Sequence, residues 1–176
     1  DPGLTDLTGS PLSSLNIKKG AFVLHPQHGV GKITSTLSCS FSEQPTASYV
    51  ELYFKRDELT MTVLEENMPG LVRGLISPEE ARDLLDQMTD WDGKPEAKWK
   101  ARANANQAAI ESGDPFEYIK VAKSLARLES GGTIRSLDRK HLNISLNLLT
   151  EELSCALNQS PKRVRGLLAK AAGTPL

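Results

Sequence analysis

One tryptophan lies among basic residues in a predicted helix. Trp99 falls within residues 94–112; Lys98 and Lys100 flank it, and Arg102 follows by three residues. A large flat ring can stack on a nucleic-acid base or wedge beside one while neighbouring cations hold phosphates. The alternative is a ring half-buried in a helix bundle, with lysines on its wet side.

The residue types that could bind metal or catalyse a reaction are sparse. His25 and His28 bracket a turn, but no cysteine or carboxylate stands near them in sequence to complete a coordination sphere. Cys39 and Cys155 are far apart and match no metal-ligand spacing. A tight β-turn is therefore the favoured interpretation of the histidine pair, and we expect no cofactor and no metal.

Composition narrows the classes of function. The chain has 176 residues, a net charge of −1 and 39% hydrophobic residues, which suits one large domain or two small ones. That charge argues against a protein that coats nucleic acid nonspecifically, so any contact must come from a local patch. Further basic residues fall at or near predicted helix starts: Arg135, Arg139, Lys140, Lys162, Arg163 and Arg165. Two lone cysteines and the lack of a long apolar run favour a cytoplasmic protein without a membrane span.

The first part of the chain reads as β-structure. Residues 1–16, rich in Gly, Pro, Ser and Thr, are interpreted as a flexible leader or tag remnant. Residues 18–65 contain short apolar runs with an alternating pattern, which predicts a small, strongly bent sheet or barrel. The alternation predicts that five side chains are buried: Val50, Leu52, Phe54, Met61 and Val63.

After about residue 76 the apolar period changes from two to 3.6, which predicts helices. Helix starts are indicated by Ser77 before Pro78, by Pro95, by Asp114 before Pro115 and by Ser160 before Pro161. Five helices with short connections predict a compact bundle. The fold class is therefore α+β, a small β module followed by a bundle of about five helices.

Several motifs resemble the CarD/CdnL family of bacterial transcription regulators. Residues 22–31, FVLHPQHGVG, are similar to the family's opening V-V-Y-P-x-H-G-V-G strand and turn, and residues 59–63 resemble its L-T-x-R-V strand. Trp99 and Arg102, followed by Ser-Gly-Asp at 112–114, resemble the family's W-S-R-R helix and its closing S-G-D. Residues 121–128 are similar to its V-V-R-D-L helix. The resemblance covers about residues 18–172.

The resemblance implies a Tudor-like β barrel at 17–72 that binds the RNA polymerase β subunit. It also implies a helical domain at 73–176 that touches promoter DNA at the upstream fork of the transcription bubble, with Trp99 as a minor-groove wedge that slows collapse of the open complex. The implied DNA-binding residues are Trp99, Lys98, Lys100 and Arg102, and the implied polymerase-binding residues are Thr60, Thr62, Ser40 and Phe41. The free protein is expected to be monomeric.

The chain departs from the family at three of these places. Ala101 stands where the family often has arginine, and Thr62 stands where its later strand has arginine. The loop around residues 39–41, where some members carry a further polymerase-contacting arginine, has none. Two other functions remain open: a protein-interaction adaptor whose β module binds by strand addition, and an enzyme acting through His25 and His28.

Overall fold

The structure is a computed structural model that describes residues 15–40 and 45–176. The chain forms two compact units, here called the β unit (to Ile76) and the helical unit (from Ser77). Phe41 and most of the expected leader lie outside the described residues. Leu15, at the end of that leader, packs against the core of the β unit.

The β unit contains an antiparallel sheet whose described strands follow the order β4-β3-β2-β1-β5. They are β1 (Phe22–His25), β2 (Gly29–Cys39), β3 (Ala47–Phe54), β4 (Leu59–Leu64) and β5 (Arg73–Gly74). Since β4 and β5 lie at opposite ends of this order, the described strands form an open sheet, and the implied Tudor-like barrel is not confirmed. The short strand β5 pairs with β1 within the β unit.

The core of the β unit follows the alternation of apolar residues along the strands. Val50, Leu52 and Phe54 are fully buried, as predicted. Met61 and Val63 are only half-buried, although both pack against this core. They lie on β4, which has a neighbouring strand on one side only, so an edge strand covers its side chains less completely.

Two glycines at the β1–β2 turn occupy positions where a residue with a side chain would not fit. Gly29 has φ +75°, a conformation that residues with a Cβ rarely adopt. A Cβ on Gly31 would lie 2.5 Å from the Phe54 ring. The His25 and His28 rings also pack on Phe54, with centroids 5.6 and 5.4 Å from its own. The motif thus closes a turn over the core.

The helical unit is described throughout and holds five helices, as predicted. They are α2 (Pro78–Asp90), α3 (Trp99–Glu111), α4 (Pro115–Ser130), α5 (Ser136–Leu157) and α6 (Pro161–Ala172); a short α1 (Met68–Leu71) belongs to the β unit. Three predicted capping residues accept hydrogen bonds from the backbone of the first turn: Ser77, Asp114 and Ser160. Local sequence therefore sets where α2, α4 and α6 begin.

The tryptophan helix begins later than predicted. We expected it to start at Pro95, but α3 starts at Trp99, with Lys98 as N-cap. The preceding residues are drawn into another conformation because Arg102 donates hydrogen bonds to the carbonyl oxygens of Glu96 and Ala97. As a result, Trp99 sits at the corner where an extended segment turns into a helix.

Candidate nucleic-acid interface

Trp99 is exposed, unlike a core tryptophan. It is the first residue of α3, and 42% of its surface is accessible. Lys98 and Lys100 beside it are exposed, and the Lys100 ammonium lies 5.6 Å from the centroid of the indole ring. Within the described residues neither lysine ammonium has an ion-pair partner. A flat apolar surface and two uncommitted charges therefore share one corner of the unit.

A third cation at this corner comes from α5. The guanidinium carbon of Arg135, the N-cap of α5, lies 4.5 Å from the centroid of the Trp99 ring. This is within the range of an attractive cation–π contact. Arg135 is exposed. In the sequence, Arg135 is only one of several basic residues at or near predicted helix starts, because no local pattern connects it with Trp99.

Arg102 does not share this exposure. Its side chain is almost completely buried and forms a two-point ion pair with Asp138, with N–O distances of 3.1 and 2.7 Å. The hydrogen bonds that Arg102 donates to the Asp138 carboxylate raise the pKa of Arg102 above its usual value. Its remaining donor group meets the Glu96 carbonyl oxygen at 2.9 Å. The Arg102 guanidinium is therefore buried and engaged inside the helical unit, where it holds the chain that precedes Trp99.

The segment that leads into Trp99 is held by side chains of α4. The buried ammonium of Lys123 donates to the carbonyl oxygens of Met88, Thr89 and Trp91 at the end of α2. Burial lowers the pKa of Lys123. Arg127 donates to the next carbonyl, that of Asp92. Together with Arg102, these cations fix the backbone from the end of α2 to the start of α3.

A buried histidine lies between α3 and α5. His141 Nε2 is 3.0 Å from Gln107 Oε1, while its Nδ1 has no hydrogen-bond partner within the described residues. Burial lowers the pKa of His141, opposed by the charge of Asp138. The neutral ring is therefore the form favoured in this buried contact between α3 and α5.

The polymerase-binding residues implied by the resemblance lie elsewhere, in the β unit. Thr60 and Thr62 are exposed on β4, at one end of the sheet, and Ser40 is exposed after β2. Phe41 lies outside the described residues. Among the described strands, the positions on β4 thus have β3 on one side and no strand on the other, which leaves a free edge.

The direction of the β4 backbone groups follows from the strand register. The Thr34 hydroxyl of β2 lies 3.2 Å from the Glu51 carbonyl oxygen of β3, so that carbonyl faces β2. Thr62 is opposite Glu51, and Thr60 is two residues earlier in the same register. Because hydrogen-bonded and non-hydrogen-bonded pairs alternate, both threonines direct their N–H and C=O groups to the free edge.

The histidine pair does not assemble a metal centre. Among residues 15–40 and 45–176, no group of three or more His, Cys, Asp or Glu side chains could hold an ion. His28 Nδ1 lies 2.7 Å from Asp57 Oδ2, and His25 Nδ1 accepts backbone N–H bonds from Gln27 and His28. These contacts brace the turn.

Comparison with known protein families finds a match within the helical unit. Residues 83–169 match the family described as CarD, C-terminal domain, a stretch that includes Trp99 and Arg135. No curated protein matches the chain. In the part of the chain that the structure describes, no helix is long and apolar enough to cross a bilayer. The CarD family consists of transcription factors, and through residues 83–169 the chain carries the C-terminal domain of that family.

Proposed function

We propose that this protein is a non-enzymatic, cytoplasmic transcription regulator that binds the RNA polymerase β subunit through its β unit. Its helical unit binds promoter DNA at the upstream edge of the transcription bubble, where Trp99 wedges beside a base pair and slows collapse of the open complex. The observation that carries the proposal is the exposure of Trp99 on a rigid base beside uncommitted cations.

Contact with DNA would remove the apolar surface of the Trp99 ring from water. An exposed tryptophan leaves a large apolar surface in water, so exposure alone contributes nothing to stability. Stacking against a base or wedging at a base step removes that surface from water and can unstack DNA that is already open. Lys98 and Lys100 supply charge for the adjacent phosphates.

For polymerase binding we propose strand addition at β4. Thr60 and Thr62 offer backbone donors and acceptors at the free edge of the sheet, which a partner strand can pair with directly. Backbone pairing explains how threonine can stand at position 62, where the family has arginine. For Ser40 and Phe41 the proposed role in polymerase binding rests on the family resemblance alone.

The experiment is a salt titration of binding to forked promoter DNA, using the full chain and Trp99→Ala. We expect the logarithm of the binding constant to fall linearly with the logarithm of salt concentration, and binding to be weaker still in Trp99→Ala. Trp91→Phe is the matched control, because Trp91 is half-buried and should not touch DNA. Equal binding by Trp99→Ala and the wild type would remove Trp99 from the interface.

The adaptor function is favoured by one observation, the free edge of β4. In that case the helical unit would only support the β unit, and polymerase or another protein would be the sole partner. The same titration separates the two functions, because an adaptor should bind forked and fully paired DNA equally weakly at every salt concentration.

A further inference from the structure

Arg135 is the cation nearest to Trp99 in space, although it lies in a different helix. Its guanidinium carbon is 4.5 Å from the ring centroid, closer than the 5.6 Å of the Lys100 ammonium. Within the described residues, no carboxylate forms an ion pair with Arg135. Its charge is therefore neutralised by neither a protein anion nor burial.

The position of Arg135 follows from the buried ion pair. Arg102 lies in the first turn of α3 and Asp138 in the first turn of α5, so their 2.7 Å contact brings the two helix starts together. Trp99 precedes Arg102 by three residues, and Arg135 precedes Asp138 by three. One ion pair thus fixes the positions of both Trp99 and Arg135.

We propose that Arg135 is a DNA-contacting residue of this surface, and the proposal rests on the proposed function of Trp99. Its planar guanidinium stacks on the indole and limits the directions the ring can take. The same group offers N–H donors to an oxygen of the DNA backbone next to the wedged base. A planar fork of donors suits a phosphate better than a single ammonium does.

Arg135 thereby takes the role that the sequence assigned to Arg102. The donors of Arg102 are occupied by Asp138 and by the carbonyl of Glu96. Position 101, where the family often carries arginine, is alanine here. The structure supplies the missing guanidinium from α5 instead.

The test measures binding to forked promoter DNA as a function of salt for Arg135→Gln and Arg135→Lys. Arg135→Gln should weaken binding about tenfold at low salt and reduce the magnitude of the salt slope by roughly one. Arg135→Lys should keep the slope because the charge remains. Arg163→Gln is the matched control: Arg163 is an exposed arginine at the start of another helix, α6, and should bind as the wild type does.

A second readout needs no DNA. In a Trp91→Phe background, the fluorescence comes from Trp99 alone, and Arg135→Gln should change it by removing the stacked guanidinium. Unchanged fluorescence would contradict the stacking. Wild-type affinity and slope in Arg135→Gln, with binding lost in Trp99→Ala, would overturn this inference and leave the proposed function intact. If Trp99→Ala also binds normally, both are overturned.

Discussion

The edge of β4 and the corner around Trp99 are the two proposed contact surfaces, and they are built on opposite principles. At β4 the groups available to a partner are backbone N–H and C=O groups, and the side chains of Thr60 and Thr62 are incidental. At Trp99 the available groups are an indole ring and the charges of Lys98, Lys100 and Arg135. Binding through backbone groups tolerates substitution of the side chains, whereas binding through side chains can be lost when one residue is substituted.

The two surfaces also differ in what supports them. The direction of the β4 backbone follows from its register with β3, which is a repeating pattern. The position of Trp99 depends on individual bonds from Arg102, Lys123 and Arg127 to carbonyl oxygens of the chain before it. The departure from the family at Thr62 should therefore matter little, while changes beneath Trp99 should matter greatly.

The largest effect is expected for Thr62→Pro. Proline removes a backbone donor that faces the free edge, where a partner strand would bind, and edge strands tolerate it. Polymerase binding should be abolished in a pull-down with the β subunit, while Thr62→Ala should bind almost normally. Normal binding by a folded Thr62→Pro protein, checked by circular dichroism, would refute strand addition; loss of binding by Thr62→Ala would show that the side chain matters after all.

The next largest effect is expected for Arg102→Met. Removing one partner of a buried ion pair leaves the carboxylate of Asp138 unpaired, which costs about 3–5 kcal/mol of unfolding free energy. Urea unfolding of the full chain measures this loss. The double variant Arg102→Met with Asp138→Leu should recover much of the stability, because neither charge is then buried alone. A small loss in the single variant would contradict the structural role of Arg102.

A smaller effect is expected for Lys123→Met. Methionine has a similar length but leaves three carbonyl oxygens at the end of α2 without their donor. Hydrogen bonds to charged groups contribute about 1.5–3 kcal/mol, so the loss should be in that range. Lys120→Met is the matched control on the same helix, since Lys120 is exposed and pairs with Glu117 at the surface. An equal loss of stability in both variants would contradict the role of Lys123 in holding the end of α2.

The smallest effect is a pH dependence carried by His141. Burial lowers its folded pKa below the ordinary value of 6.5, so the unfolded chain binds more protons below that pH. The stability that His141 contributes is complete above pH 6.5 and is lost as pH falls toward the folded pKa. Unfolding followed by the helical dichroism signal should show this loss on acidification in the wild type. His141→Gln should reduce it, and an unchanged pH dependence would count against the buried neutral ring.

Local patterns in the sequence were enough to predict some of these features. The alternation of Val50, Leu52 and Phe54 gave their burial, and Ser77 and Ser160 marked the starts of α2 and α6, because each depends on neighbouring residues. The open sheet was not predictable, since alternation specifies faces but not whether the end strands meet.

The support of Trp99 could not be predicted because its partners are distant in sequence. Arg102 and Asp138 are 36 residues apart, so Arg102 was interpreted as a surface cation. Arg135 likewise reaches Trp99 only after α3 and α5 have paired. The exposure of Trp99 was one of two interpretations that the flanking Lys98 and Lys100 left open, and the family resemblance favoured it.

The central claim is tested most directly by the lifetime of the promoter open complex with the wild type and with Trp99→Ala. Loss of a stacked aromatic contact is worth about 1–3 kcal/mol, so the lifetime should fall roughly tenfold or more. The unfolding free energy should change by about 1 kcal/mol or less, because the ring is largely exposed. An unchanged lifetime, or a stability loss of about 3–5 kcal/mol as for a core tryptophan, would contradict the account.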